Sequence, residues 1–505
     1  MGEVRPCDLD AVAARALIEQ GDLSPVELLE SCIEQIEAID PAVNALVIRA
    51  FDRARSEARS AEALLTRRDD HRLGALHGLP VAIKDLQPTE GITTTFGSAE
   101  MAGNVPAQDA GIVAKVRRAG GIVIGKTNIP EYSIGANTLN RLFGATGNPF
   151  DVTRTCGGSS GGSAVALATN MAPLATGSDH GGSLRIPACY CGVVGHRSTP
   201  GVVPYEDRTI AQTFYSVQGP MGRTVADTAL LLSVVAQRTQ ERGRSFDPMA
   251  FPLDADSLAS LDDVDLATLR VGYTEDLGGA LVSSEIREEF RHRLARIRPL
   301  VGSLEAAPVD LTAGAEVDWL LRSDVFVAQY HRDAEHWDEG FNPNIQASYG
   351  SALQTPMADI AKARRRQVDL FQSFNALFHD FDVILCPGVS VSPFEWRDLF
   401  PRTVDSTPVV NYMAWLTLTA AITVIGHPVT ALPCGLDRHG LPFGLQIIGR
   451  VYNDRRVLSA AKALERAFAS DPVLARPMPD FAYLTTVDSD CRDGGIEAAN
   501  QAASS

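Results

Sequence analysis

Three short stretches of this 505-residue sequence carry residue types that can do acyl-transfer chemistry together: "GLPVAIKD" around Lys84, "CGGSSGGS" at 156–163 with Ser159, and "SDHGGSLRIPA" with Ser183. A lysine closing an apolar run is an odd strand ending, because burial favours the neutral amine and draws its pKa down from about 10.4. A neutral amine can act as a general base. A serine between that amine and a second serine would relay a proton, and glycines just before the second serine would leave backbone N–H groups free to hold an oxyanion. For Lys84 taken alone, the structural alternative is a strand-end lysine paired with Asp85.

Other chemistries fit the same residues less well. Gly157-Gly158-Ser159-Ser160-Gly161 matches the G-x-S-x-G nucleophile elbow. That motif needs a strand immediately before it, and "NPFDVTRTC", with Pro149, Asp151 and Arg154, reads as a poor strand. It also needs a histidine base, and His379, His427 and His439 stand in no distinguishing context. A phosphate cradle would want a G-K-[ST] ending, which this loop lacks. His180, Cys189, Cys191 and His196 lie close in sequence, but their spacing matches no structural zinc pattern, so neither a metal nor another cofactor is expected.

These residues need elements to position them. A flexible Gly/Ser linker would have polar flanks, whereas "CGGSSGGS" runs into "AVALATNMAPLATG". The stretch therefore predicts a tight loop feeding a buried helix with a serine near its cap. Apolar residues at helical spacing from Asp8 to Ala50, broken at Asp22-Leu23-Ser24-Pro25, predict a helical N-terminal layer. "LPVAIK" at 79–84 and "GGIVIGKT" at 120–127 read as strands, with the helix-like "DAGIVAKVRRA" before the second. Further strands are expected at "FDVILCP", "PVTALPC" and "PFGLQIIG", followed by the helix "RRVLSAAKALERAFA". Strands alternating with helices predict an α/β fold whose sheet draws on both ends of the chain. The region 225–380 reads as helical segments with less regular stretches, and the polar, Ala/Ser-rich tail from Val487 reads as disordered.

The 45% hydrophobic content suffices for a large core, and the net charge of −17 argues against nucleic acid or an anionic membrane surface as partner. No apolar run reaches the roughly 18 residues that span a bilayer. With no apolar signal core in "MGEVRPCDLD", a cytoplasmic protein is expected. The eight scattered cysteines read as reduced thiols.

Taken together, "GGSSGGSAVALATNMAPLATGSDHGGSLRIPACYCGVVGHRST" from Gly157 to Thr199, with "HGLPVAIKD", "GKTNIPEY", "GATGNPFDVTRT", "GPMGRTVADTALLL" and "GLPFGLQIIG", resembles the amidase signature family. The resemblance covers most of the chain and thins from about 240 to 400. It implies a large, mixed, twisted central sheet covered by helices on both faces, built as one catalytic domain over 1–486. The parts would be a helical layer at about 8–70, a signature core at 75–235, a variable substrate-facing region at 240–400, and closing strands and helix at 405–470. It further implies Ser183 as nucleophile, Ser159 as the bridging serine after a cis peptide bond, Lys84 as base, and an oxyanion hole from the backbone of His180, Gly181, Gly182 and Ser183. Ser133 and neighbouring Tyr132 fall where substrate contacts are implied, a plain loop serine being the alternative for Ser133.

This chain departs from the pattern at His196-Arg197-Ser198, where many members have Leu-Lys-Pro, and at His180, for which a backbone role is favoured over a side-chain contact. Ile186 stands where the glutamyl-tRNA amidotransferase subunit usually has glutamine. The implied activity is hydrolysis of a carboxylic amide, with esters and carbamates as further candidates. The alternatives are a Ser-His-Asp hydrolase built on 157–161 and an amidotransferase-type glutaminase subunit. A small amide, ester or carbamate is the expected partner, and a homodimer is left open. Trp319, Trp337, Trp396 and Trp415 permit an apolar or aromatic substrate group, although tryptophan is more often core than pocket.

Overall fold

Among the described residues, eleven strands between Leu46 and Ile448 pair into one mixed sheet, with helices around it. The structure is a computed structural model that describes residues 4–66, 73–238, 247–331 and 341–492. In chain order the strands are β1 (Leu46–Arg49), β2 (Pro80–Lys84), β3 (Ile122–Thr127), β4 (Leu174–Asp179), β5 (Val194–Arg197) and β6 (Val217–Gly222). They continue with β7 (Arg270–Tyr273), β8 (Ser303–Ala306), β9 (Val383–Pro387), β10 (Val429–Leu436) and β11 (Pro442–Ile448). Across the sheet the order is β1-β3-β2-β4-β6-β5-β10-β11-β9-β7-β8. Parallel pairing joins β3-β2-β4 and β9-β7-β8, and every other neighbouring pair is antiparallel.

The local reasons are readable in the residues. Ser24 caps the helix Pro25–Val43 in a complete capping box with Glu27, and proline at the first helical position needs no N–H partner there. β2 and β3 are buried at every position, as interior parallel strands must be. One continuous apolar core runs from Cys7 to Leu484. No helix among the described residues is long and apolar enough to cross a membrane. All eight cysteines are buried free thiols, and burial pushes the pKa of each one up.

Two expectations need correction. "NPFDVTRTC" does contain a strand, Asp151–Thr155, but it lies outside the main sheet, pairing with Gly147–Asn148 in a small ribbon and bridging to Glu395 through Arg154. The tail is not disordered from Val487 onward. Cys491 is buried beside Leu139, Ala145 and Trp396, its carbonyl accepts a hydrogen bond from Ala145 N at 2.7 Å, and its thiol lies 3.4 Å from Val152 O. One anchoring side chain and its backbone bond outweigh a polar average composition. The rest of that expected tail lies outside the described residues, as does Trp337.

Candidate active site

Lys84 is the last residue of β2, and the pleat turns its side chain into the fully buried space between that strand and the loop 156–160. Nζ lies 2.8 Å from Ser159 Oγ, 2.9 Å from Ser160 Oγ and 2.9 Å from Ser178 Oγ. Desolvation lowers the amine's pKa to about 7, with Asp179 acting in the opposite sense. A neutral amine has two N–H groups and one lone pair, so three hydroxyl neighbours match its capacity. The Ser160 hydroxyl donates to Ser178 O at 3.3 Å and accepts from Ser178 N, which leaves it acceptor capacity but no proton for Lys84. The Ser163 hydroxyl is engaged with Thr176 O at 2.9 Å and Thr127 Oγ1 at 2.7 Å, away from the lysine. Among the serines of the loop, Ser159 is thus the one whose hydroxyl proton can point at the amine lone pair.

The glycines around these serines serve close packing. The peptide bond Gly158–Ser159 is cis, and the helix Gly161–Ala168 begins at once, with Ser160 in the cap position. A Cβ on Gly162 would stand 2.4 Å from Asn128 N and 2.7 Å from Ala45 O, so the first helical turn seats directly on the end of β3. Ser160 N also donates to Ser183 O at 3.2 Å, tying the loop to the second serine.

Ser183 sits on the tight turn between β4 and the helix Arg185–Cys191. That turn is organised by Asp179, which is fully buried and accepts from Gly182 N at 2.9 Å and Leu184 N at 3.2 Å. Arg185 forks onto both carboxylate oxygens at 3.0 Å, and Arg197 reaches Oδ1 at 3.1 Å. Burial opposes ionisation of Asp179, but the two guanidiniums win and hold it well below the usual carboxylate range. Gly182 has φ 134°, and a Cβ there would meet Thr419 Oγ1 at 2.5 Å. The turn therefore excludes any side chain.

Ser159, Ser178, His180 and Ser183 line one cavity of about 100 Å³, and Tyr132 and Ser133 form another part of its wall. Both of the latter have left-handed backbone, φ 50° and 61°. The His180 ring is held in place, with Nδ1 2.7 Å from Ser216 Oγ, and its pKa falls well below the ordinary value through burial and the nearby Arg322 and Arg197. Of the four residues whose backbone is expected to form an oxyanion hole, Gly182 has its N–H engaged by Asp179. The N–H groups of Gly181 and Ser183 make no hydrogen bond to the described residues.

The competing constellations are not brought together. His196 turns to Thr430 Oγ1 at 2.9 Å and Asp454 Oδ1 at 3.2 Å, and among the described residues no three His, Cys, Asp or Glu side chains cluster as a metal site. His427 is enclosed by Phe371, Phe374 and Phe378, and His439 pairs with Glu285. Neither these nor His379 lines the cavity, and neither do Trp319, Trp396 and Trp415. Sequence reasoning missed Ser178, Asp179, Arg185 and Arg197. The available signal was charge inside an apolar stretch, with Asp179 just before the "HGGS" turn and Arg185 just after it.

With this geometry in hand, likeness to known proteins is informative. The profile of the Amidase family matches residues 27–458. An acylamidase from Rhodococcus erythropolis is 32% identical over 461 residues, spanning 90% of this chain and 95% of that protein. A glutamyl-tRNA(Gln) amidotransferase subunit from Picosynechococcus sp. is 32% identical over 477 residues, 88% of this chain and 95% of that protein. Among solved structures, a bacterial aryl acylamidase described as an amidase signature enzyme superposes with TM-score 0.83 at 26% identity, covering 95% of this chain and 99% of its own. A 6-aminohexanoate cyclic dimer hydrolase gives TM-score 0.81 at 26% identity, covering 95% of this chain and 100% of its own.

Proposed function

The chain belongs to the amidase signature family and is an amidohydrolase acting on amide C–N bonds, and from that premise we propose that it works through an acyl-enzyme on Ser183, with Ser159 as relay and Lys84 as base. Ser183 Oγ attacks the amide carbonyl while its proton passes to Ser159, whose own proton passes to the lone pair of neutral Lys84. The developing oxyanion is held by the N–H groups of Gly181 and Ser183. The proton stored on Lys84 returns through Ser159 to the departing amine. Water then repeats the sequence on the acyl-enzyme and frees the carboxylic acid.

The observation that carries this reading is the fully buried Lys84 amine, lowered to about 7 and 2.8 Å from Ser159 Oγ. A structural lysine would have been given a carboxylate partner instead. Lys84→Ala and Ser183→Ala should each lower turnover of a simple amide by about 10⁴-fold or more. His379→Ala, His427→Ala and His439→Ala should not. An active Lys84→Ala protein would sink the triad. Mass spectrometry of protein trapped with a serine-directed phosphonate should place the adduct on Ser183, and an adduct on Ser159 would exchange the two roles. Esters and carbamates offer the same carbonyl to Ser183 and belong in the same substrate panel. Turnover of simple amides by the lone chain would separate this reading from an amidotransferase component, which would need partner chains.

A further inference from the structure

The wall of the same cavity carries a guanidinium that the acyl-transfer chemistry does not use. Arg208 lines the same cavity as Ser183, and its side chain is only 3% exposed. Nε donates to Asp247 Oδ1 at 2.9 Å and Nη1 to Ser216 O at 3.0 Å, whereas Nη2 is buried with no hydrogen-bond partner among the described residues. The position is built rather than incidental. Asp247 also accepts from Tyr205 N and Met249 N, both at 2.9 Å, and the Tyr205 ring lies 5.5 Å from the guanidinium carbon. Neighbouring Glu206 is tied to the buried Lys115 at 3.3 Å. The loop is pinned just before Arg208, at Tyr205 and Glu206, and one N–H of the guanidinium is still left over.

A buried donor left without an acceptor carries its full desolvation penalty, so an acceptor from outside the chain is the expected partner. Ser133 Oγ and His180 Nε2 are buried without partners too, and both residues line the same cavity. Charge selects among acceptors. Arg208 is balanced by Asp247, but Asp179 faces two guanidiniums, Arg185 and Arg197. Across Arg208, Asp247, Asp179, Arg185 and Arg197 the charges sum to one positive in excess, which favours an anion over a neutral carbonyl. We propose that Arg208 receives a carboxylate of the substrate, so that the enzyme prefers amides bearing a carboxylate remote from the scissile bond: half-amides of dicarboxylic acids or N-acyl amino acids.

This inference rests on the hydrolysis of amides at Ser183 described above, and its test separates the two. Matched pairs place the carboxylate on either side of the bond: succinic or glutaric monoanilide against the methyl-ended anilide of equal length, and N-butyrylglycine against N-butyrylpropylamine. Wild-type protein should favour the carboxylate in at least one pair by about 10- to 100-fold in kcat/KM, mainly through KM. Which pair responds tells whether the acid or the amine part reaches Arg208. In Arg208→Met/Asp247→Asn, which removes the pair without leaving a lone buried carboxylate, the ratio should collapse to about one. Arg208→Lys should restore part of it. A wild-type preference for the neutral member of both pairs, or a ratio unchanged in the double variant, overturns the proposal. If no amide is hydrolysed, the amide reading fails instead, and calorimetry with succinate, glutarate and N-acetylglycine on Ser183→Ala protein decides Arg208 alone. Binding that disappears on adding Arg208→Met/Asp247→Asn supports it, and no binding refutes it.

Discussion

Replacing Lys84 with methionine should abolish turnover and yet stabilise the fold at neutral pH. The amine is fully buried, and desolvation lowers its pKa to about 7, whereas an unfolded lysine titrates at about 10.4. Between those values the folded amine is neutral while the unfolded chain binds the proton, so this group makes stability rise with pH by about 1.4 kcal/mol per pH unit. Its whole cost, roughly 4–5 kcal/mol, is present at and below pH 7 and vanishes above about pH 10.4. Methionine removes that cost but also strips Ser159, Ser160 and Ser178 of their common partner, at about 1 kcal/mol each. The variant should therefore be more stable than wild type by roughly 1–2 kcal/mol at pH 7 and less stable by about 2 kcal/mol at pH 10. Denaturant unfolding of both proteins at pH 7, 8.5 and 10, followed by fluorescence and circular dichroism, reads the crossover, because all other titrations cancel in the difference. A wild-type-to-variant difference that stays constant across this range would refute a neutral Lys84.

The same neutral amine makes kcat/KM on an uncharged anilide climb as pH rises through about 7 and then level off, and a profile that falls across this range would count against a lysine base. Asp179→Asn leaves Arg185 and Arg197 buried without a charged partner and should cost about 3–5 kcal/mol, read as a lowered unfolding midpoint with loss of activity. Gly182→Ala would force a Cβ against Thr419 Oγ1 at φ 134°, and should lower kcat by about 100-fold by displacing Ser183, with a smaller loss of stability. An active Gly182→Ala enzyme would show that the turn has slack.

Legibility in the sequence followed the reach of each interaction. β2, β3, β9, β10 and β11 were visible as apolar runs because their residues are buried throughout, save Leu436 at the end of β10, and Ser24-Pro25 announced its helix through the physics of one turn. β4 was not visible. Its "LATGSD" mixes small and polar residues, since this strand ends at the site rather than in the core. β7 and the edge strand β8 are short parallel strands, paired to each other from separate stretches of chain, and no local pattern marks them. At the site, Lys84, Ser159 and Ser183 stood out because each breaks a local rule: a cation ending an apolar strand, and hydroxyls inside glycine runs. Arg208 breaks no local rule in "YEDRTIAQ", and only its pairing with Asp247 and the unpartnered Nη2 beside the cavity make it notable. The fate of the Gly182 N–H likewise needs three dimensions, because its competitor Asp179 reaches it only once the turn has formed.

The eight buried thiols give this fold a set of internal clocks. Only the thiolate reacts with an alkylating reagent, and burial both suppresses ionisation and blocks access, so each cysteine is silent until its own neighbourhood opens. Their positions divide the molecule: Cys7 and Cys32 report the N-terminal helical layer, Cys156 the loop before Ser159, Cys189 and Cys191 the helix behind Ser183, Cys386 and Cys434 the interior strands, and Cys491 the anchored end. Labelling rates at each, resolved by peptide mapping, would order the opening of the molecule without a single engineered probe. The terminal anchor at Cys491 should exchange its silence first, and the strand thiols at Cys386 and Cys434 last.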